Sequence, residues 1–375
     1  MKILFTGGGT GGHFYPIIAV AEAVSSLAAK EGFSEPELFY VSDSPMDASL
    51  LLQKKLQYVE VSAGKRRTYA SIQNFIDIFR TITGFFSALW KLFRIYPDVI
   101  FSKGGYASFP ILLSAKILFI PVVIHESDSV PGRVNAWSAK FAKYIAISYP
   151  EAVNAFEHKD RVAYTGQPIR KDLMQPIDVD VRTAFNLPEN APIILILGGS
   201  QGAQAINDLI VDALPTLLDK AIIIHQAGDA NLDWVRTRAS GILAEHPHAS
   251  WYLPYGFIDS QTLRAFGAAA TLVVSRAGST IFEIAMWGKP SILIPLPIAH
   301  GDHQRVNAYA YARTGAAIVL EQSNLKSSIL LTTISTIISD MSRQEEMSAA
   351  AHSFFVPDAP EKIATALLSI ASSHQ

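Results

Sequence analysis

Ile3-Leu4-Phe5-Thr6-Gly7-Gly8-Gly9-Thr10-Gly11-Gly12-His13 decides the fold, together with its counterpart Ile193-Ile194-Leu195-Ile196-Leu197-Gly198-Gly199-Ser200-Gln201-Gly202-Ala203. Each stretch is an apolar run of strand length that ends in glycines and continues into helix-forming sequence. Such a turn aims unpaired main-chain N–H groups and the positive end of a helix at one point, where an anion, most often a phosphate, is stabilised. One loop of this kind is a common turn. Two of them, about 190 residues apart, predict two doubly wound α/β domains, Rossmann-like in plan, facing each other across a cleft.

The bulk properties agree. A chain of 375 residues is too long for one ordinary core and suits two domains. Hydrophobic residues make up 49% and charged residues 17%, enough for a large core. A net charge of −2 argues against a dedicated nucleic-acid binder. The chain has no cysteine, which excludes disulfides, thiolate metal sites and a cysteine nucleophile. No uninterrupted apolar run of about 20 residues is present to span a bilayer. Met1-Lys2 leads straight into a strand, so no signal peptide is expected.

Strand-like and helix-like patterns alternate along the whole chain. Periodicity lapses at Gly166-Gln167-Pro168-Ile169-Arg170, with Pro176 and Pro188 beyond. Proline density of this sort marks a linker. A second lapse, Val356-Pro357-Asp358-Ala359-Pro360, precedes a last helical stretch. The expected domains are therefore 1–167 and 168–357, with the helix in 358–375 packing back on the first.

Gly7, Gly9 and Gly12 satisfy G-x-G-x-x-G, and Asp43 at the end of the second strand is placed to bind a ribose, so a dehydrogenase is one reading. His13 points elsewhere. A dinucleotide pyrophosphate needs only main chain there, whereas an imidazole at a phosphate-facing helix start suits proton transfer. Lys103-Gly104-Gly105-Tyr106 follows another apolar strand, so Gly104, Gly105 and Tyr106 open on the same sheet edge and frame an acceptor pocket. His125-Glu126-Ser127-Asp128 ends the next strand with four polar residues, more than a turn needs, although Ser127 or Asp128 also suits a helix cap. In the second half, the Ser200 hydroxyl can reach a phosphate. Glu283 falls one turn into the helix after Ser275-Arg276-Ala277-Gly278, where a carboxylate can hold both ribose hydroxyls or merely complement the helix dipole. Asp302-His303-Gln304-Arg305 opens a further helix with groups suited to sugar hydroxyls. Asp178-Val179-Asp180 looks like a metal-holding motif but lies in the linker, so no catalytic metal and no other cofactor is expected.

Between Lys65 and Arg94, Phe75, Phe79, Phe86, Trp90 and Phe93 recur near helical spacing. Lys65, Arg66, Arg67, Arg80, Lys91 and Arg94 surround them, against Asp77 alone on the acidic side. Aromatic and basic residues on one amphipathic stretch suit an anionic membrane surface.

Gly7–His13 with Tyr15-Pro16, then Gly104-Gly105-Tyr106, His125-Glu126, Pro131-Gly132, Asn135, Gly166–Arg170, Gly198–Ala203, Arg276-Ala277-Gly278, Glu283 and Asp302-His303-Gln304 occur in the order found in one family. Along nearly its whole length the chain resembles the MurG family of N-acetylglucosamine transferases. That resemblance implies a GT-B fold and metal-independent, inverting transfer from UDP-GlcNAc to an undecaprenyl-pyrophosphoryl-MurNAc-pentapeptide at the cytoplasmic face of the cell membrane. It implies that Thr10, Gly11 and Gly12 approach the nucleotide sugar and that His13 stands beside the chemistry. Arg170, Ser200, Ile258, Glu283 and Gln304 fall where the family contacts the donor, Ile258 at the uracil. One departure stands out. The family usually has Gln-Asn where this chain has Ser127-Asp128, and an ionised Asp128 accepts hydrogen bonds that an Asn would also donate. Other readings are a GT-B lipid glycosyltransferase acting on diacylglycerol and a non-catalytic nucleotide-sugar binder.

Overall fold

Short apolar runs without alternation become strands buried on both faces, and here all of them are parallel. In the computed structural model the first unit comprises Met1–Lys171 and Val356–Gln375, and the second Asp172–Phe355. The structure describes residues 1–8, 11–64, 72–175, 179–199, 202–297 and 302–373, without the side chains of 72–78.

The first unit contains β1 (Lys2–Thr6), β2 (Glu37–Ser42), β3 (Leu56–Glu60), β4 (Val99–Ser102), β5 (Val122–Glu126), β6 (Tyr144–Ile147) and β7 (Val162–Tyr164). They form one sheet in the order β3-β2-β1-β4-β5-β6-β7. The strand order reverses between β1 and β4, and ligands of such sheets bind outside the carboxyl ends at that point. Thr6 is level with Ser102, so the loops after β1 and β4 open side by side. The second unit contains β8 (Ile193–Leu197), β9 (Ile222–Gln226), β10 (Tyr252–Tyr255), β11 (Leu272–Ser275), β12 (Ser291–Leu293) and β13 (Ala317–Val319). Their order is β10-β9-β8-β11-β12-β13. Its reversal lies between β8 and β11, where Leu197 is level with Ser275. Both glycine-rich loops named above therefore leave their sheets at the switch point.

The helix Ala359–Ser372 packs on the helix Gly11–Lys30. Its Ile363, Ala364, Leu367 and Leu368 share one buried cluster with Ile3, Phe5, Ile17, Val20 and Val24. Removing these apolar side chains from water ties the end of the chain to its beginning. The returning chain passes close to Gly166, where a Cβ would sit 2.5 Å from Val356 Cβ. The division thus falls after Lys171 and after Phe355, a few residues from the sequence boundaries at 167 and 357. Arg170, expected in the second domain, belongs to the first unit. β3 and β7, which carry no continuous apolar run of strand length, lie at the two edges of the first sheet.

Candidate active site

In the first unit, the loop after β1 is held from below and from the side. Tyr40 donates its hydroxyl to the Gly7 carbonyl at 2.8 Å. A Cβ on Gly8 would come within 2.7 Å of both Ala107 Cβ and Ser42 Oγ, so only glycine fits. His13 lies in the first turn of the helix Gly11–Lys30, and its Nδ1 is 2.9 Å from the Gly8 carbonyl. A carbonyl only accepts, so Nδ1 carries the proton and Nε2 carries the lone pair. Burial and the nearby Lys103 lower the pKa of His13, against the Gly8 carbonyl and Asp128, which raise it. The result is a neutral imidazole at neutral pH, with its basic nitrogen fixed by the loop.

The loop after β4 closes against this one. Gly104 and Gly105 have φ of +78° and +84°, values that L side chains rarely adopt. A Cβ on Gly105 would lie 2.9 Å from the Gly8 carbonyl oxygen and 3.3 Å from the His13 ring. Tyr106 donates to Asp43 Oδ2 at 2.6 Å. Asp43, the ribose carboxylate of the dehydrogenase reading, is thus engaged within the protein.

Beneath the two loops runs a buried polar network. Lys103 Nζ is surrounded by three acceptors: His125 Nδ1 at 2.5 Å, Ser127 Oγ, and Gln167 Oε1 at 3.4 Å. His125 Nε2 donates to the Gly166 carbonyl at 3.0 Å, with Ser148 Oγ at 3.3 Å. Both ring nitrogens of His125 are therefore engaged, the ring is fully buried, and burial with Lys103 depresses its pKa well below the usual value. His125, expected on the acceptor side, is a neutral support beneath the site rather than part of its surface, because an imidazole has only two polar atoms to offer. Glu126 accepts from Asp128 N, Gly132 N and Asn135 Nδ2, each at 2.9 Å. Burial and Asp128 raise its pKa while these three donors lower it. Asp128 itself is only half-buried. The Arg170 guanidinium stacks on the Tyr15 ring, 4.9 Å from its centroid.

In the second unit, β8 also leads directly into glycines. Gly199 and Gly202 have φ of +85° and +73°. Gly202 N donates to the Gly199 carbonyl at 3.0 Å, and Gln226 Nε2 donates to the same carbonyl at 3.2 Å. The helix Gln204–Leu218 begins directly after this loop. Beside it, Glu283 stands in the first turn of the helix Thr280–Trp287. It lines a cavity of about 30 Å³ with Leu173, Arg264 and Trp287. Arg276 Nη1 donates to the carbonyls of Ile294 and Pro295 at 3.0 and 3.3 Å. Gln304, in the first turn of the helix His303–Ala312, accepts from Leu296 N at 3.0 Å. Asn307 joins that helix to the Ala277 carbonyl at 3.5 Å. These bonds tie Arg276 and the start of the helix His303–Ala312 to the chain that follows β12. The Ile258 side chain is buried, so any contact it makes with a base runs through its main chain. Thr10 and Ser200 lie outside the described residues. Asp180 of the linker caps the helix Val181–Ala184, accepting from Arg182 N and Thr183 N. This is a helix-start role, and Asp178 lies outside the described residues.

Two family models match the chain: the glycosyltransferase family 28 N-terminal domain over residues 3–147 and its C-terminal domain over residues 193–363. A UDP-N-acetylglucosamine–N-acetylmuramyl-(pentapeptide) pyrophosphoryl-undecaprenol N-acetylglucosamine transferase of Syntrophotalea carbinolica is 36% identical, covering 97% of both chains. One of the same name from Treponema denticola is 35% identical over 92% of this chain and 89% of its own. The crystal structure of Acinetobacter baumannii MurG superposes with a TM-score of 0.74 at 26% identity, covering 98% of this chain and 99% of that one. This chain belongs to the MurG family.

Membership in the MurG family carries the GT-B fold with it, and the two parallel sheets are its two halves. Within this MurG-family chain, the described part of the basic aromatic stretch is the helix Ile72–Ile95, and Lys65, Arg66 and Arg67 lie outside the described residues. Ala88 and Leu92 are buried, whereas Phe79, Ile82, Phe86, Trp90 and Phe93 are exposed, Phe86 and Trp90 at 62% each. Spacings of three and four place these five on one stripe. A Cβ at Gly84 would lie 1.8 Å from the Ser62 carbonyl oxygen, so that glycine lets the helix lie against the main chain. Arg80 is exposed, and Lys91 donates to the Glu60 carbonyl. The Phe75 side chain is outside the description. Among the described residues, no helix is long and apolar enough to cross a membrane. Three members of the first unit's network, Lys103, Ser148 and Gln167, are not assigned a role by the sequence alone. A lysine closing an apolar strand ahead of two glycines was the available signal.

Proposed function

We propose that this chain moves N-acetylglucosamine from UDP-GlcNAc to the 4-hydroxyl of the MurNAc sugar in undecaprenyl-pyrophosphoryl-MurNAc-pentapeptide, the GlcNAc-transfer step of peptidoglycan synthesis. The observation that carries the chemistry is the His13 Nδ1 to Gly8 carbonyl contact of 2.9 Å, which leaves Nε2 as a neutral base. Nε2 takes the proton of the acceptor hydroxyl. The acceptor oxygen then bonds to the anomeric carbon as the bond from that carbon to the diphosphate oxygen breaks. Configuration inverts from α to β, and UDP leaves with the electron pair. The second unit meets the growing charge with main-chain N–H groups of the Gly198–Gly202 loop, the start of the helix Gln204–Leu218 and the Ser200 hydroxyl, a preorganised arrangement of large catalytic weight. Glu283 takes the ribose hydroxyls, Gln304 the sugar, the Ile258 main chain the uracil and Arg170 a phosphate. Thr10, Gly11 and Gly12 approach the sugar from the first unit, and Gly104, Gly105, Tyr106 and Asp128 bound the acceptor. No metal takes part in this scheme, so a chelator is expected to leave turnover unchanged.

The test supplies the purified protein with radiolabelled UDP-GlcNAc and either the undecaprenyl-linked acceptor or diacylglycerol. Label is expected on the former, with one UDP released per sugar moved. Label on diacylglycerol alone favours the other lipid glycosyltransferase reading, and binding without UDP release favours a sensor.

The exposed stripe of the helix Ile72–Ile95 supports peripheral docking of this chain on the anionic surface at the cytoplasmic face, where its lipid-linked acceptor is embedded. Replacing Phe86 and Trp90 together by Glu is expected to weaken sedimentation with phosphatidylglycerol vesicles by about tenfold or more. Binding of UDP-GlcNAc in solution is expected to stay unchanged. Undiminished vesicle binding would remove this helix from that role.

A further inference from the structure

His225 takes no part in the scheme above, yet it is fully buried in β9. Its two ring nitrogens face two other elements. Nδ1 is 2.9 Å from the Tyr252 hydroxyl on β10, and Nε2 is 3.1 Å from Asn207 Oδ1 on the helix Gln204–Leu218. The bond on the far side of Asn207 sets the direction of the whole series. Asn207 Nδ2 donates to the Ala227 carbonyl at 3.0 Å, so Oδ1 faces the ring as an acceptor. Nε2 therefore carries the proton, Nδ1 carries the lone pair, and the Tyr252 hydroxyl donates to it. Burial pushes the His225 pKa down to about 3, so the ring is neutral at neutral pH and the direction holds. Asn207 is fully buried and Tyr252 nearly so.

The series ends on one oxygen. Asn231 Nδ2 also donates to the Ala227 carbonyl at 3.0 Å, so both lone pairs of that oxygen are taken. A Cβ on Gly202 would lie 2.1 Å from the same oxygen and 2.7 Å from Asn231 Nδ2. The turn at Gly202 thus rests directly on a carbonyl that two amides hold. The other end of the loop is tied to the residue before it, since Gly198 N donates to the Gln226 carbonyl at 3.3 Å. Apolar side chains of similar size would fill this space without desolvating any polar group. They would supply no donor to the Ala227 carbonyl. We propose that Tyr252, His225, Asn207 and Asn231 are positioning residues for the donor's diphosphate: they fix the Ala227 carbonyl as the seat of Gly202, and so hold the N–H groups of the Gly198–Gly202 loop in place for the phosphates. The inference rests on the assignment of the nucleotide to this loop under the proposed function. The four side chains act through the loop main chain.

The experiment uses the full-length protein as wild type, Asn207→Leu, His225→Phe and Asn231→Ala. Equilibrium dialysis reads the affinity of each for radiolabelled UDP and for radiolabelled uridine. Asn207→Leu and His225→Phe are expected to weaken UDP binding by about tenfold or more, and Asn231→Ala by about threefold or more. Uridine lacks the diphosphate, and its affinity is expected to stay within about twofold in all three. A loss confined to the diphosphate separates positioning from general damage to the fold, which weakens both ligands alike. Asn231 is half-buried, so Asn231→Ala keeps the fold and the test open even where the two core variants fail to fold. An Asn231→Ala protein that binds UDP as wild type does overturns the proposal, as does an equal loss of UDP and uridine in any folded variant. In either case, transfer of label by the wild type to the undecaprenyl-linked acceptor leaves the proposed function standing. Wild-type protein that binds no UDP overturns both.

Discussion

His13→Ala is expected to lower kcat for sugar transfer by about 10²-fold or more and to leave the affinity for UDP-GlcNAc within about twofold. The expectation follows from where the imidazole is held. Its Nδ1 proton is committed to the Gly8 carbonyl, so the only nitrogen able to take a proton is Nε2. Gly105 packs against the ring, and any larger residue there would push it out of place. In the proposed mechanism, loss of the ring removes a proton acceptor used only as the hydroxyl becomes nucleophilic, which is why the effect belongs in kcat. The pH dependence has a definite sign. A base acts in its neutral form, and burial with Lys103 brings the pKa of His13 below its ordinary 6.5. Activity is therefore expected to hold as pH falls to about 6.5, and to be lost only as it drops through the lowered value. Steady-state rates with isothermal titration of the donor check both halves. Unchanged kcat in His13→Ala would assign the proton to another group.

Gly202→Ala is expected to damage the second unit and its anion site together. At φ +73° an alanine costs about 1–2 kcal/mol in backbone conformation alone. In addition, its Cβ would lie 2.1 Å from the Ala227 carbonyl oxygen, which directly follows β9 and cannot yield without disturbing the sheet. The loop must then open, displacing the N–H groups proposed to hold the diphosphate. A lower melting temperature and a tenfold or greater loss of UDP affinity are the expected readouts, measured by calorimetry and titration. Gly278→Ala is the control. Nothing lies within 4 Å of its Cβ position, so its effect on melting is expected to stay within about 0.5 kcal/mol. Equal damage from both substitutions would contradict the steric argument.

The parts of the fold that were legible in the sequence are those where one physical signal dominates. β1, β4 and β8 are apolar runs ending in glycine, and each proved to flank a switch point. β3 and β7 escaped notice because edge strands are half-exposed. Leu56-Gln57-Tyr58-Val59-Glu60 mixes buried and exposed positions, and Val162–Tyr164 has three residues with none buried. The helix Gly11–Lys30 begins inside the glycine loop, ahead of the point where apolar periodicity starts. For the candidate site, local spacing revealed His13 and the glycines. Spacing along the chain carries no record of the contacts among Lys103, His125, Ser148 and Gln167, which join positions 19 to 64 residues apart. His125 therefore read as an acceptor-side group when it is a buried support. The same blindness to distant contacts placed Arg170 with the wrong half, since its partner Tyr15 lies far back in the chain.

Both units carry a glycine loop at a helix start, and the proposed mechanism divides the labour between them, with the nucleotide on the second loop and the base on the first. A crystal structure of this protein with UDP distinguishes the two. The diphosphate is expected on the N–H groups of the Gly198–Gly202 loop, with the ribose at Glu283. A diphosphate seated instead on the Gly7–Gly12 loop, against His13, would contradict it.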